Sequence, residues 1–203
     1  WYLYPAIIAV SFFTWFWGFG VFHQPKPNEK LIFFVGTAVN DNSFTNMIKS
    51  KFNEDELSLV EVNGCSPSQT IFASKLNVYL SNADIVVLPE YEIDKFAKEN
   101  EQPMDVMKNF FCELDDETKT AYLSSGDVYY DVADSDSNNH SFAVMVKDKA
   151  NESWLDTYFG FEDDVNYFAL LTKSSVNTGK LYDVENQNDN ALVALGYLTG
   201  GAK

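Results

Sequence analysis

Residues 1–22, WYLYPAIIAVSFFTWFWGFGVF, contain no charged side chain. As a helix this run would measure about 33 Å at about 1.5 Å per residue, close to a hydrocarbon core of about 30 Å. Trp1, Tyr2 and Tyr4 lie at one end and Trp15 and Trp17 near the other, the arrangement of amphipathic rings at two membrane interfaces. A core helix of a soluble domain rarely needs so long an uncharged stretch. A cleaved signal peptide would have a shorter apolar region and a small-residue cleavage site, which Phe19 to Gln24 does not offer. The run therefore reads as a retained transmembrane anchor of a single-pass cell-membrane protein, followed by a Pro-containing stalk over 23–29. Gly18 and Gly20, beside Trp15 and Trp17, supply small positions where a partner membrane helix could approach closely.

Charge narrows the rest. The 203-residue chain has a formal charge of −16, and its basic residues are all lysine. With the first 22 residues uncharged, the whole excess falls on residues 23–203. A nucleic-acid binder needs the opposite, a basic footprint that displaces counterions from phosphate. The segment after the anchor is expected on the extracellular side. Cys65 and Cys112 are the two cysteines, too few for a disulfide scaffold; two separate buried thiols are expected, with a single bridge as the alternative.

Residues 30–203 read as one α/β domain. Lys30 to Gly36 holds a continuous apolar run ending in Gly, as a strand buried on both faces does; Leu57 to Val62 reads as a second strand, and Ala83 to Pro89 as a third, buried one halted by Pro89. Asp41-Asn42-Ser43 caps a helix between the first two. Ser66-Pro67-Ser68-Gln69 has the form of a capping box opening a helix before the third. This β-α-β-α-β order predicts a parallel sheet with right-handed crossovers. The stretch 92–150 differs: a helix broken at Pro103, then two strands across a polar loop, which reads as a small inserted mixed lobe with a hairpin. Asn166 to Thr172 is a further strand, and Asn190 to Leu198 a last helix. The fold class is α/β: an N-terminal transmembrane helix, a parallel-sheet lobe, and the inserted subdomain.

The motifs of catalysis are weak. Asp134-Ser135-Asp136-Ser137-Asn138 opens like a calcium loop but has Asn139 at the sixth place and Met145 at the twelfth, where Gly and Glu are needed. His140 and His23 stand beside no nucleophile motif. Glu90, Glu92 and Asp94 read as a solvated helix start favoured by the helix dipole. No phosphate-cradling glycine loop is present, and no metal or cofactor is implied, so the chain is expected not to be an enzyme. In an open parallel sheet, ligands bind beyond the carboxyl ends of strands. Here those ends offer Thr37 and Asn40, then Ser66 and Ser68, then Glu90 and Tyr91. Tyr129 and Tyr167 are candidates to line the same cleft.

The succession of LIFFVGT, a helix, SLVEVNG, and a long helix ending in ADIVVLPE resembles the first lobe of bacterial extracellular solute-binding proteins with the type 2 periplasmic-binding fold. VNYFALLTKSSVNTGKLY resembles the chain's return into that lobe. Members of that family carry a second lobe as large as the first, whereas only about 93–150 is available here. The resemblance implies a membrane-anchored, substrate-binding-like subunit of a transporter, of the ABC class, with permease subunits as partners and a small polar solute as cargo. The alternative is an accessory subunit that binds no small ligand and packs against partner membrane proteins. The lysine-, asparagine- and aspartate-rich composition without arginine resembles that of low-GC Gram-positive bacteria.

Overall fold

The computed structural model describes residues 3–22, 25–53, 56–179 and 188–200, with side chains of the first helix described over 3–18. Trp1, Tyr2, His23, Gln24 and the end of the return segment beyond Gly179 lie outside the described residues.

Helix α1, Leu3–Phe22, is built from the uncharged run. Its large apolar side chains from Leu3 to Trp17 are each at least 55% exposed. Pro5 falls in the first turn, where a missing N–H costs little. The Thr14 hydroxyl donates to the Val10 carbonyl, so that polar group is satisfied within the helix. Phe12 and Phe16 stack one turn apart at 6.1 Å. Among the described residues, no helix is long and apolar enough to cross a membrane.

The body is a mixed α/β structure around one six-stranded sheet of order β2-β1-β3-β6-β5-β4. The strands are β1 Lys30–Val35, β2 Leu59–Gly64, β3 Ile85–Pro89, β4 Tyr129–Ala133, β5 Asn139–Lys147 and β6 Tyr167–Leu171. β1 pairs in parallel with both β2 and β3, as the apolar runs predict. β6 pairs antiparallel with β3, from Ile85 opposite Leu171 to Pro89 opposite Tyr167. β5 and β4 then continue antiparallel. The parallel lobe is thus half of the sheet. The hairpin placed in a separate small lobe over 92–150 extends the same sheet instead. The cause is β6: it inserts between β3 and β5 and hydrogen-bonds both, leaving no break at which a second lobe could separate.

Helices cover both faces. Leu31, Phe33 and Val35 alternate onto one face with Ile85, Val87, Ala169 and Leu171. There they meet α2 (Ser43–Lys49) and α7 (Asn190–Leu198). Phe34, Val86, Leu88, Phe168 and Leu170 point the other way, toward α3 (Phe72–Leu80), α4 (Glu90–Ala97) and α5 (Pro103–Phe110). α6 (Asp116–Tyr122) runs into α7 where Gly196 lies: a Cβ there would stand 2.4 Å from the Tyr122 carbonyl oxygen. That approach requires glycine.

Two local expectations change. The helix expected to open at Ser66 begins only at Phe72. Ser66 Oγ hydrogen-bonds Ser68 Oγ at 2.9 Å, and Gln69 accepts from the Cys65 thiol at 3.4 Å instead of reaching back to a cap. Gln69 N–H to Ser66 O and Phe72 N–H to Gln69 O make two successive tight turns. The stalk is not extended throughout: Pro27–Glu29 forms a 3₁₀ turn, and Asn188 and Asn190 donate to the Asn28 carbonyl. Cys65 and Cys112 are free and buried.

Candidate functional site

The carboxyl ends of β1, β2 and β3 lie along one edge of the sheet, together with the start of β6. The 148–166 connection, carrying a 3₁₀ turn at Trp154–Thr157, crosses this edge and occupies it. Asn40 and Asp41 N–H donate to the Tyr158 carbonyl at 2.8 and 3.3 Å, and Gly160 N–H donates to the Ala38 carbonyl at 2.9 Å. Val39 and Phe159 form an antiparallel bridge, and the Thr37 hydroxyl donates to the Gly160 carbonyl. Gly64 lets the 37–39 turn, to which this segment bonds, pack against the end of β2, since a Cβ there would lie 2.6 Å from the Thr37 carbonyl oxygen.

Side chains lock the segment down. Phe159 is 2% exposed, with ring centroids 4.8 Å from Phe44 and 5.5 Å from Phe161. Phe161 lies 4.4 Å from the ring of Tyr167, which is fully buried. The Tyr167 hydroxyl accepts from Glu162 N–H at 3.3 Å. Burial raises its pKa, opposed in part by the hydrogen bond from Glu162 N–H. Tyr91 donates to Glu162 Oε1 at 3.4 Å, and burial followed by the Glu162 charge pushes its phenol well above the ordinary tyrosine range. Glu90 accepts from Asn166 Nδ2 at 2.8 Å while its own N–H donates to the Asn166 carbonyl.

The structure therefore brings Thr37, Asn40, Glu90, Tyr91 and Tyr167 together, as the positional rule for parallel sheets predicts, but around the chain's own 158–166 segment. Ser66 and Ser68 stand at the adjoining end of β2, bonded to each other. Tyr129 does not join them. It lies on the edge strand β4, opposite Val144, with the Lys119 ammonium 4.9 Å above its ring. A shallow hollow of about 230 Å³ remains at the rim, bounded by Glu90, Tyr91, Asp94, Lys149 and Asp164. Of the helix positions, Trp15 and Trp17 are exposed, and a Cβ on Gly18 would meet nothing within 4 Å. Gly20 belongs to α1 beyond its described side chains.

A larger groove, of about 500 Å³, opens between α3 and the α4–α5 pair. Its walls are Phe72, Leu76, Phe96, Val106 and Phe110, and Glu92 lies among them. The Glu92 side chain is 7% exposed and pairs at 2.6 Å with Lys95, itself 52% exposed. Reading Glu90, Glu92 and Asp94 as one solvated cluster misses this. At 100° per residue, Glu90 and Asp94 share a helix face, while Glu92 falls with Phe96 on the face turned into the groove.

His140 also has partners that its place in a polar loop conceals. Its Nδ1 lies 2.7 Å from Glu113 Oε1 and its Nε2 3.1 Å from Asp134 Oδ2. Asp134 accepts from the Asn138 side chain and from the N–H groups of Asn138 and Asp136. The calcium-like loop thus closes on its own amides and on His140. Among the described residues, no cluster of three or more His, Cys, Asp or Glu side chains is placed to hold a metal ion.

Comparison with protein-family models, with curated proteins and with solved structures finds no match for this chain.

Proposed function

We propose that this chain is a membrane-tethered accessory subunit: α1 sits in lipid, and the acidic α/β body is displayed on the extracellular side, where it engages partner membrane proteins. The observation that carries this reading is α1 itself. It is apolar around its whole circumference, uncharged, and exposed along Leu3 to Trp17. In water such a surface would associate; in a bilayer it is already solvated. The open surface around Gly18 suits close packing against another helix.

The accessory reading is favoured over solute capture at the sheet edge because that edge is closed by 148–166. Thr37, Glu90, Tyr91 and Tyr167 already bond that segment, and what stays open beside Glu90 and Tyr91 is the shallow hollow at the rim. The hairpin that would form a second, closing lobe belongs to the same sheet, which disfavours hinge closure around a ligand among the described residues. Association with the permease subunits of a transporter rests on the resemblance of the sequence alone.

The test is membrane retention of the full chain. The parent protein stays with membranes through an alkaline wash. The double substitution Ile8→Glu/Phe12→Glu, which places two carboxylates on the helix, releases it with the body still folded by circular dichroism. Copies purified in mild detergent bring a permease subunit with them, and Gly18→Leu reduces that yield. Release of the parent protein by the wash, or retention of the double variant, contradicts lipid burial of α1.

A further inference from the structure

We propose that the groove between α3 and α4–α5 binds a small organic cation with an aromatic or short alkyl body, its ammonium group paired with Glu92. This goes beyond the accessory role and uses none of the residues at the closed sheet edge.

Four observations converge. The groove's volume of about 500 Å³ falls in the range of about 300–1,000 Å³ typical of small-molecule sites. Its walls are largely apolar. Phe96 and Phe110 meet edge to face at 5.8 Å and Phe72 lines the opposite side, so a flat apolar body has aromatic surface on both sides. Ring faces also attract cations.

The third observation is the carboxylate. Glu92 is withdrawn from solvent in this apolar setting, and a charge so placed needs a partner. Lys95 provides one, but from the rim: its side chain is half exposed, so its ammonium has water to return to. A ligand ammonium that enters the groove can take the place of the Lys95 ammonium, which then returns to water. The pair thus gives Glu92 a partner while the groove is empty and yields when it is filled. The fourth is the field of the whole molecule. A formal charge of −16 raises the local concentration of cations and repels anions. Thr70, Gln69 and Asn100 at the margins offer polar contacts for the remaining ammonium hydrogens.

The experiment uses the full chain in detergent micelles and three probes of matched shape: 2-phenylethylamine, 2-phenylethanol and 3-phenylpropanoate. Calorimetry is expected to give saturable binding of the amine at least about tenfold tighter than the alcohol, the advantage of one charge-assisted contact. No binding of the carboxylate is expected. Glu92→Gln removes the preference, so that amine and alcohol bind alike. Lys95→Ala, a surface change that leaves Glu92 in place, binds the amine as tightly as the parent or more so, because the competing ammonium is gone. Equal affinity for amine and alcohol in the parent protein would reduce the groove to an apolar crevice and overturn the proposal. So would preferential binding of the carboxylate, loss of amine binding in Lys95→Ala, or no heat from the amine. Because Lys95→Ala and the probe series do not depend on Glu92→Gln folding, a misfolded Glu92 variant leaves the test intact.

Discussion

Replacing Phe159 by Ala tests whether the 148–166 segment is a fixed part of the body or a lid that could open to admit a solute. Phe159 is 2% exposed and sits in the core shared by Phe33, Phe44 and Ile48. Truncating a buried Phe to Ala costs about 3–5 kcal/mol through lost burial and the cavity left behind. The contact with Phe44, inclined at 62°, accounts for about 1 kcal/mol of that. For a body of this size each kcal/mol moves the melting midpoint by about 2–4 °C, so a fall of about 10 °C is expected. Urea unfolding of the full chain in detergent, followed by far-ultraviolet circular dichroism, measures the cost. Hydrogen exchange at the Asn40 and Gly160 amides, which bond across the junction, reports where it falls. In the parent, these two amides are expected to exchange as slowly as the core amides of β1 and β6. In Phe159→Ala the whole body is expected to lose protection together. A global change below about 1 kcal/mol, with protection lost only at these junction amides, would mark a separately opening unit and refute the assignment of a permanently closed edge.

Three further outcomes rest on named contacts. His140 has its pKa raised above 6.5, chiefly by the bond to Glu113 and then by Asp134; its stabilising contribution is therefore complete below that value and lost as pH rises through the raised one. Urea midpoints should fall as pH rises from the ordinary histidine range through the raised value, and His140→Gln should flatten that slope; an unchanged slope contradicts the pairing. Burial pushes the Cys112 thiol up to about 11, so in a Cys65→Ser background it should stay unlabelled by a thiol reagent at about pH 8 until the chain is unfolded, whereas rapid native labelling would contradict its burial. Gly196→Ala places a methyl against the Tyr122 carbonyl and should cost about 1–3 kcal/mol as overpacking does, read as a lower urea midpoint; no change would mean that α6 and α7 can separate freely.

The strands were legible because a ribbon buried on both faces must be apolar throughout, and residues 31–35, Ile85–Pro89 and Tyr167–Leu171 are. The parallel run of β1 and β3 was legible as well, but the direction of β6 was not. Tyr-Phe-Ala-Leu-Leu reads the same whether its neighbours run parallel or antiparallel, and β6 has one antiparallel partner on each side. The last helix was bounded correctly at Asn190–Leu198, where a polar run precedes an apolar one and two glycines come after it. The capping signature at Ser66 misled because Ser and Gln side chains satisfy turns as readily as helix ends.

The same ambiguity explains the sheet edge. Hydroxyl, amide and carboxylate groups that suit a solute suit backbone amides equally, and nothing in Thr37 or Glu90 tells which they will meet. One signal was present: Phe159 and Phe161 are large apolar residues in an acidic loop, and such residues seek a core. Glu92 was hidden by treating three acids as one cluster when helical phase separates them.

The central claim is that α1 is buried in lipid while the acidic body stays in water. Single-tryptophan variants of the full chain in vesicles, one keeping Trp15 and one keeping Trp154, address it directly. Brominated acyl chains should quench Trp15 strongly and leave Trp154 on the body unaffected, with aqueous iodide showing the reverse. Trp15 quenched by iodide and untouched by bromolipid would place the helix in water and contradict the claim.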